Sequence, residues 1–413
     1  MEGLANLPTQ QPYLAGGSGD RSIHLKRMDY FLSLIGHPEK TLKIIHITGT
    51  SGKGSVTNML HEVLYAAGHC VGSFTSPFIT TSIEKIKVGT RYISPGEFAE
   101  IVEELKPIID RAYVFGPYER PTYFELFFAI ALLYFKRMKC EYVVLEVGLG
   151  GRYDSTNVIR RPLITAITNI DYDHMEILGN TLKKIAYDKA GIIKSNSAFI
   201  TTEKRPRLLR LFRRICKEKR AAYQALRVSG GYRVENEALV RAIAQKLGID
   251  KRSIDRGTRT AFLACRFERM QTKPIVVLDG AHNRAKIRTT VNNIHALRYR
   301  KLHLILGFAK NKDQTSILEQ IIPLADHVYL TRFQIKDRAC APPKELYLSA
   351  KGYLKPMATR EVFLDPQRAL DRALEAASDE DLVVVTGSFF LAGELRERWI
   401  PEERILRRRR AMG

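Results

Sequence analysis

A glycine-rich turn between a short apolar strand and an amphipathic helix constrains this chain more than any other feature of its sequence. The run Thr41–Thr48 (TLKIIHIT) is rich in β-branched residues and predicts a strand, and Ser55–Ala67 carries Val, Met and Leu at helical spacing. In such a turn, backbone N–H groups converge on an anion at the positive end of the following helix, and Lys53 adds a charge for phosphates. The turn therefore predicts a nucleoside triphosphate site, formed by Gly49, Thr50, Ser51, Gly52, Lys53, Gly54 and Ser55.

The spacing inside this turn departs from the commonest phosphate loop, in which four residues separate the first two glycines. Here only two residues separate Gly49 from Gly52, and Gly54 stands between Lys53 and the hydroxyl of Ser55. The alternative is a strand-to-helix turn without a ligand. The strand before the turn and the helix after it favour phosphate binding.

Strand and helix patterns alternate along the rest of the chain. Tyr142–Val147 and Leu163–Ile170 are typical of buried parallel strands, Phe124–Phe135 indicates a buried helix, and 203–257 is charged and helical in pattern. Five more strands are predicted, at 274–278, 302–306, 327–331, 361–364 and 382–386. Such alternation predicts an α/β fold with open parallel sheets. We expect a phosphate-loop domain over 1–258 and a smaller Rossmann-like α/β domain over 259–413.

The formal net charge of +22 favours anionic partners, such as nucleic acid, anionic lipid, nucleotides or polycarboxylates. A solvated basic surface explains the same charge equally well. The basic clusters, Arg205–Arg220 and Arg407–Arg410, come without an RNA-binding aromatic signature, a zinc finger or a basic zipper. We therefore expect no nucleic-acid partner.

Cysteine usage and hydropathy indicate the compartment. The five cysteines are far apart in sequence and include no CxxC, which argues for a reducing environment and against a thiolate zinc site. The most apolar stretch, 124–135, contains Glu125 and is too short to span a bilayer. The N-terminus carries no run of signal-peptide type, and its first twenty residues look loosely structured. We expect a cytoplasmic protein with no membrane partner.

Several segments together resemble one enzyme family, the folylpolyglutamate and dihydrofolate synthases, a branch of the Mur-type ATP-dependent amide ligases. The phosphate loop Thr48–Ser55 is similar to theirs. The other similar segments follow in the family's order and spacing: Thr75–Ile79 (TSPFI), Leu145–Asn157 (LEVGLGGRYDSTN), Thr168–His174 (TNIDYDH) with Leu178-Gly179, Asp188–Lys194 (DKAGIIK), Asp279–Asn283 (DGAHN) and Thr386–Ser388 (TGS). The resemblance covers most of the chain and implies a Mur-ligase central domain followed by the family's C-terminal domain.

The resemblance also implies roles for residues of the first domain. Lys53, His174 and Lys189 would be catalytic, with Lys189 able to carry a carbamate. Ser76 and Glu146 would hold one Mg²⁺, and His174 would contribute to a second metal site. Glu146 stands at a strand end between two apolar residues, where a buried carboxylate needs a cation or strong donors, although it could instead reach solvent.

Further roles follow from the same resemblance. Asp154 would lie near the pterin end of the substrate, although an aspartate in a loop equally often caps a turn. In the second domain, Arg266 would reach the ATP phosphates and Asp279 the ribose. His282 and Ser388 would lie near the incoming L-glutamate.

The chain departs from the family pattern at several positions. Ala264-Cys265 replaces Pro-Gly before Arg266, and Arg284 replaces a proline. Asn311 replaces the first aspartate of an Asp-Lys-Asp segment. The stretch before residue 258 is short, and only Asn236 suggests the family's asparagine there. These changes leave the contacts to adenine and the choice of substrate open.

The resemblance thus implies an ATP- and Mg²⁺-dependent ligase that joins L-glutamate to a pteroate or folate through an acyl phosphate, and we expect a monomer. Whether it makes dihydrofolate, extends a glutamate tail or does both stays open. The alternatives are a Mur-type ligase for another acid and a phosphate-loop protein that binds nucleic acid. A dinucleotide-binding oxidoreductase is disfavoured, because Tyr153 occupies the third glycine position of the segment after Val147.

Overall fold

The chain divides into two α/β units in the computed structural model, which describes residues 20–118, 120–310, 313–334 and 339–410. Unit 1 holds the described residues up to Phe78 and Ile83–Phe262, and unit 2 holds Ile79–Ser82 and the described residues from Leu263 onward. The division predicted after residue 258 lies inside a helix, Lys251–Thr260, and stays a prediction. Most of the N-terminal segment predicted to be loose (1–19), with Asn311 and Lys312, lies outside the described residues.

Within the described part of unit 1, eight strands form one sheet in the order β4-β3-β2-β5-β1-β6-β7-β8. The pairs from β2 to β8 are parallel, whereas β3 and β4 are antiparallel additions at one edge. The strands are β1 (Lys43–Thr48), β2 (Val71–Phe74), β3 (Ile86–Val88), β4 (Arg91–Tyr92), β5 (Tyr142–Glu146), β6 (Ile164–Ile167), β7 (Ala198–Thr201) and β8 (Ala222–Ala225).

Helices cover both faces of this sheet. Two of them begin with a reciprocal cap: the side chains of Ser94 and Thr122 accept from the N–H three residues on, and Glu97 and Glu125 bond back to the cap N–H. The helices of unit 1 are α1 (Ile23–Leu34), α2 (Lys53–Ala66), α3 (Pro95–Phe115), α4 (Tyr123–Arg137), α5 (Met175–Leu178), α6 (Leu182–Lys189), α7 (Pro206–Lys219), α8 (Tyr232–Lys246) and α9 (Lys251–Thr260). Among the described residues, no helix is both long and apolar enough to cross a membrane.

The helix that follows the glycine turn, α2, buries its apolar face in the core of unit 1. Val56, Leu60 and Val63 are fully buried and join one core with α8, α9 and β1. A Cβ on Gly257 of α9 would lie 2.4 Å from the Cα of Val63, so the two helix backbones touch at a position that requires glycine. This packing fixes the helix against which phosphates would bind.

Unit 2 holds a second sheet, which in the described residues has the order β13-β12-β11-β14-β10-β9 with β9 alone antiparallel. Its strands are β9 (Glu268–Thr272), β10 (Ile275–Leu278), β11 (Leu302–Leu306), β12 (His327–Leu330), β13 (Thr359–Val362) and β14 (Leu382–Thr386). Its helices are α10 (Arg284–His295), α11 (Gln314–Ile321), α12 (Pro343–Ala350), α13 (Pro366–Ala376), α14 (Phe389–Arg396) and α15 (Glu402–Arg408). The two sheets confirm the predicted α/β fold and add antiparallel edges that the sequence pattern does not indicate.

The parallel strands bring the predicted site segments of unit 1 to one edge. Strands β2, β5, β1, β6 and β7 run in the same direction, so their carboxyl ends meet at that edge. The next residues after β1, β5 and β6 are Gly49, Val147 and Thr168, and Ser76 follows β2 by two residues. All are segments singled out in the sequence, and this edge is where a ligand site is expected in an open α/β sheet.

Candidate active site

The glycine turn is shaped by contacts that leave no room for side chains at two positions. Gly49 has a φ of +152°, and a Cβ there would lie 1.8 Å from Oγ1 of Thr168. Gly52 has a φ of +84°, and a Cβ there would lie 2.5 Å from Oδ1 of Asn236 on α8. Both glycines are thus required by the backbone conformation and by close neighbours.

The segment after β6 holds the turn in place. The N–H of Thr50 donates to the carbonyl of Asn169 at 2.9 Å, and the N–H of Ser51 donates to Oδ1 of Asn169 at 2.9 Å. The hydroxyl of Thr168 donates to the carbonyl of Ser51, and the hydroxyl of Thr50 accepts from the N–H of Asp171. Nothing in the sequence pattern marks Thr168 or Asn169 as part of the phosphate loop. Their contribution depends on the pairing of β1 with β6.

Two ammonium groups converge on one carbonyl oxygen of the turn. Nζ of Lys53 and Nζ of Lys189 each lie 3.1 Å from the oxygen of Gly49. Lys189 is buried, and burial together with the charge of Lys53 lowers its pKa to about 7, although Asp173 and Asp188 act in the opposite sense. A single carbonyl carries only a partial negative charge, so the two cations together favour an anion such as phosphate beside them.

Glu146 provides the carboxylate of the site. It is buried, so the alternative that it reaches solvent is wrong, and its Oε2 accepts from the N–H of Ser76 at 3.1 Å. A Cβ on Gly54 would lie 3.2 Å from the same oxygen, so the absence of a side chain leaves space beside the carboxylate. One carboxylate, a nearby hydroxyl and substrate phosphates are a donor set that suits Mg²⁺, so these residues fit the ion.

His174 is the residue predicted to contribute to a second metal site. Its φ is +49°, which is an uncommon left-handed conformation for a side chain of this size, and its ring is 29% exposed. Its Nε2 lies 3.8 Å from Oδ1 of Asp173, and its Nδ1 lies 3.7 Å from Oε1 of Glu176. Among the described residues, no three His, Cys, Asp or Glu side chains form a metal cluster. The second metal site at His174 therefore stays a prediction.

Asp154 occupies a capping position. Its side chain is buried and accepts from the N–H groups of Leu149 and Thr156, each at 2.9 Å, as it starts a short 3-10 helix, Ser155–Val158. Burial raises the pKa of this carboxyl, and the hydrogen bonds oppose the rise. The structure thus gives Asp154 the turn-capping role, and its contact with the pterin stays a prediction.

In unit 2, the predicted residues meet at the carboxyl ends of β10 and β14. The Arg266 guanidinium carbon lies 4.1 Å from the centre of the Phe389 ring. The His282 ring packs edge-on against the same ring, with 5.6 Å between the two ring centres. Nδ1 of His282 contacts the carbonyl of Gly280 at 2.8 Å, and Ser388 caps α14 by accepting from the N–H of Phe390 at 3.1 Å. Arg266, His282 and Ser388 are therefore grouped around one aromatic side chain.

The turn that carries Arg266 is held by a buried ion pair. Arg396 is fully buried, and two of its nitrogens each lie 2.9 Å from an oxygen of Glu268. The same carboxylate accepts from the N–H of Cys265 at 2.9 Å, next to a backbone in which Cys265 and Phe267 both have a φ of +52°. Glu268 and Arg396 were not predicted as site residues. Glu268 stands close to Arg266 in sequence, whereas no local pattern indicates that Arg396 pairs with it.

Gly280 offers a test of the packing around Phe389. A Cβ at Gly280 would lie 2.1 Å from Cδ1 of Phe389, so Gly280→Ala should destabilise unit 2 by about 1–3 kcal/mol through overpacking. Gly352→Ala is the matched control, because no heavy atom lies within 4 Å of its added Cβ. Urea unfolding followed by the fluorescence of Trp399, the single tryptophan of the chain, measures both. Equal unfolding midpoints for the two variants would contradict the close contact.

The buried carboxyl of Asp279 makes stability depend on pH. Burial raises its pKa from 3.8 to about 6, although Arg266 and the N–H of Ala281 lower it. Between these two values the folded state keeps a proton that the unfolded chain has released, so the contribution of Asp279 to the free energy of unfolding falls as pH rises. The stability of the wild type minus that of Asp279→Asn should therefore decrease between about pH 4 and 6 and level off above. Trp399 fluorescence in urea at each pH measures it, and a constant difference would refute the shift.

Comparison with known proteins finds a matching family model within each unit. The family model described as the Mur ligase middle domain matches residues 47–224, and the model described as the Mur ligase glutamate ligase domain matches residues 265–389. A dihydrofolate synthase/folylpolyglutamate synthase from Bacillus subtilis is 30% identical, over 91% of this chain and 94% of its own length.

Two solved structures have the same fold. E. coli FolC in complex with DHPP and ADP is 25% identical, with a TM-score of 0.79 and coverage of 96% of both chains. A bifunctional folylpolyglutamate synthase/dihydrofolate synthase with Mn, AMPPNP and L-glutamate bound is 26% identical, with a TM-score of 0.77 and coverage of 91% of this chain and 93% of that one.

Proposed function

Because the chain belongs to the folylpolyglutamate synthase and dihydrofolate synthase family of Mur-type ligases, we propose that it joins L-glutamate to the carboxylate of a pteroate or folate. It is an ATP-dependent amide ligase. The observation that carries the proposal is the convergence of Lys53 and Lys189 on the Gly49 carbonyl, with Glu146 beside the same turn. Family membership makes a nucleic-acid-binding or oxidoreductase function unnecessary to explain the glycine segments.

The first half-reaction follows from the geometry of the turn. The backbone N–H groups at the N-terminus of α2 hold the ATP phosphates, and Lys53 neutralises charge on the γ-phosphate. The substrate carboxylate oxygen attacks the γ-phosphorus in line, so the bond to the bridging oxygen breaks and ADP leaves. The product is an acyl phosphate. Catalysis of this step rests on alignment and charge neutralisation.

In the second half-reaction, the amine nitrogen of L-glutamate attacks the acyl carbon. Inorganic phosphate leaves, and the nitrogen loses a proton as the amide forms. His282 and Ser388 are the proposed contacts of the incoming glutamate, and Arg266 and Asp279 those of the ATP phosphates and ribose. Their grouping around Phe389 and at the ends of β10 and β14 supports a common ligand surface within unit 2.

Glu146 and Ser76 are the residues proposed to hold Mg²⁺, which when bound would supply positive charge to offset the negative charge of the phosphates. The space beside Gly54 leaves the Glu146 carboxylate accessible from the loop. We propose His174 as the contact of a second metal ion.

Lys189 is proposed to carry a carbamate on Nζ. Carbamate formation needs the neutral amine, and a pKa lowered to about 7 by burial and by Lys53 makes that form available near neutral pH. The carbamate would convert a second cation beside Lys53 into an anion and would relieve the repulsion between the two ammonium groups.

We further propose that the enzyme acts as a monomer in the cytoplasm, where ATP is supplied. Light scattering coupled to size-exclusion chromatography, with and without ATP, tests whether the enzyme is a monomer. A stable dimer under both conditions would refute it.

The test of the proposed function is phosphate release that depends on L-glutamate. Purified protein with ATP and Mg²⁺ should release phosphate with dihydropteroate, tetrahydrofolate or both, and EDTA should abolish the release because the phosphates lose their counter-ion. Comparing dihydropteroate with tetrahydrofolate separates dihydrofolate synthesis from tail extension. A peptidoglycan precursor serves as the control acid. Release with that precursor and with neither pterin would overturn the assignment of substrate.

A further inference from the structure

Two cysteines face each other at the edge of the unit 1 sheet opposite the glycine turn. Cys70 immediately precedes β2, Cys140 lies two residues before β5, and these strands are parallel neighbours. The two sulfur atoms are 3.9 Å apart. A disulfide needs about 2.05 Å between sulfurs, so small rotations about the two Cα–Cβ bonds can close the gap.

The backbone around this pair is already fixed in a geometry that suits a bond. The N–H of Glu141 donates to the carbonyl of Cys70 at 2.8 Å, and Val71 pairs with Tyr142 in the sheet register. This pairing keeps the two main-chain segments side by side, as a disulfide between them requires. Bond formation therefore calls for little movement of the main chain.

The two thiols differ in access, which sets the order of events. Cys70 is exposed, whereas Cys140 is buried, and burial and the neighbouring Cys70 raise the pKa of Cys140 well above its ordinary value. In the part of the chain that the structure describes, Cys216 and Cys265 are also buried and Cys340 is half-buried. An oxidant in solution therefore reaches Cys70 first, and Cys140 is placed to resolve the product.

We propose that Cys70 and Cys140 are a reversible dithiol–disulfide site, oxidised by a low-molecular-weight disulfide such as glutathione disulfide. The Cys70 thiolate attacks one sulfur of glutathione disulfide, and a glutathione thiolate leaves. The Cys140 sulfur then attacks Sγ of Cys70, its proton passes to the departing glutathione sulfur, and the second glutathione leaves as the thiol. Two protein thiols are thus oxidised, and one glutathione disulfide is reduced to two glutathione molecules.

The position of the bond predicts its effect. It would link the starts of β2 and β5, while the residues proposed to hold the metal ion, Ser76 and Glu146, follow or end the same strands at their other ends. A cross-link between residues 70 positions apart restricts the unfolded chain. Oxidation should therefore raise the unfolding temperature of unit 1 and leave kcat within roughly twofold, because the site edge stays unchanged.

The experiment treats the native full-length protein with glutathione disulfide and counts free thiols after unfolding in denaturant. The count should fall from five to three, and peptide mapping without reductant should find the Cys70 and Cys140 peptides linked. Cys140→Ser should stop at a glutathione adduct on Cys70. Cys340→Ser, the matched control, should still form the link.

Dithiothreitol should restore five thiols and the original unfolding temperature. A wild-type protein that stops at the glutathione adduct, or one that links Cys70 to another cysteine, would overturn the proposal. Because the readout is covalent mapping, the result is independent of whether the proposed ligase activity is correct.

Discussion

Replacing Lys53 by alanine should lower kcat/KM for ATP by roughly a hundredfold to a thousandfold, as expected when one preorganised charge at a reacting oxygen is removed. The ammonium of Lys53 lies 3.1 Å from the Gly49 carbonyl at the N-terminus of α2, where the phosphates are proposed to bind. The effect should fall mainly on kcat, because the developing charge is greatest in the transition state. Glutamate-dependent phosphate release measures it.

Lys106→Ala is the matched control for this substitution. Lys106 is exposed on α3, where it pairs with Glu103, and its removal changes the net charge by the same amount. Activity of Lys53→Ala within threefold of that control would remove Lys53 from the proposed mechanism. Circular dichroism of both variants checks that α2 still forms.

Replacing Lys189 by arginine separates two possible roles of the buried amine. Arginine keeps the positive charge and cannot form a carbamate, because its guanidinium stays protonated. If the carbamate is the working form, Lys189→Arg and Lys189→Met should both lose activity by roughly a hundredfold or more. If the ammonium is the working form, the arginine variant should keep activity and only the methionine variant should lose it, and this outcome would reject the carbamate.

Lys183→Arg, an exposed position on the same helix, controls for the substitution itself. Carbon-13 NMR with labelled bicarbonate reports the carbamate directly, and its signal should be absent in Lys189→Arg. Because the pKa of Lys189 is about 7, the neutral amine grows as pH rises through that value, so the signal should increase from about pH 6 to pH 8.

The sequence pattern could predict the buried central strands, because their apolar residues are visible in the local sequence. The mainly apolar runs that form β1, β5, β11 and β14 are buried along nearly all their length, so the apolar residues of each run predict a buried strand. The antiparallel edge strands could not be predicted in this way, because their local sequence carries no continuous apolar run. Strand β9 reads ERMQT and is mostly polar, and it exists because β10 offers a free edge for pairing.

In the site, too, local features could be predicted from the sequence and contacts made by tertiary packing could not. The glycines and Lys53 could be recognised because the turn carries its own conformational requirements. The contacts of Asn169 and Asn236 with the turn could not be predicted from local pattern, because both residues reach it only through tertiary packing from β6 and α8. For Asp154, the sequence left capping and pterin binding equally open, and only the surrounding N–H groups favour capping.

The two ammonium groups at the Gly49 carbonyl also bear on how the enzyme stays folded in a cell. As long as Lys189 carries no carbamate and is protonated, like charges held this close oppose the folded state until an anion lies beside them. A nucleotide that binds only the folded protein adds about 2.7 kcal/mol of stability at a hundred times its dissociation constant. Cellular ATP would then stabilise the folded state of unit 1 as well as serve as a substrate. The ATP concentration would therefore set how much loss of stability by mutation this unit can tolerate.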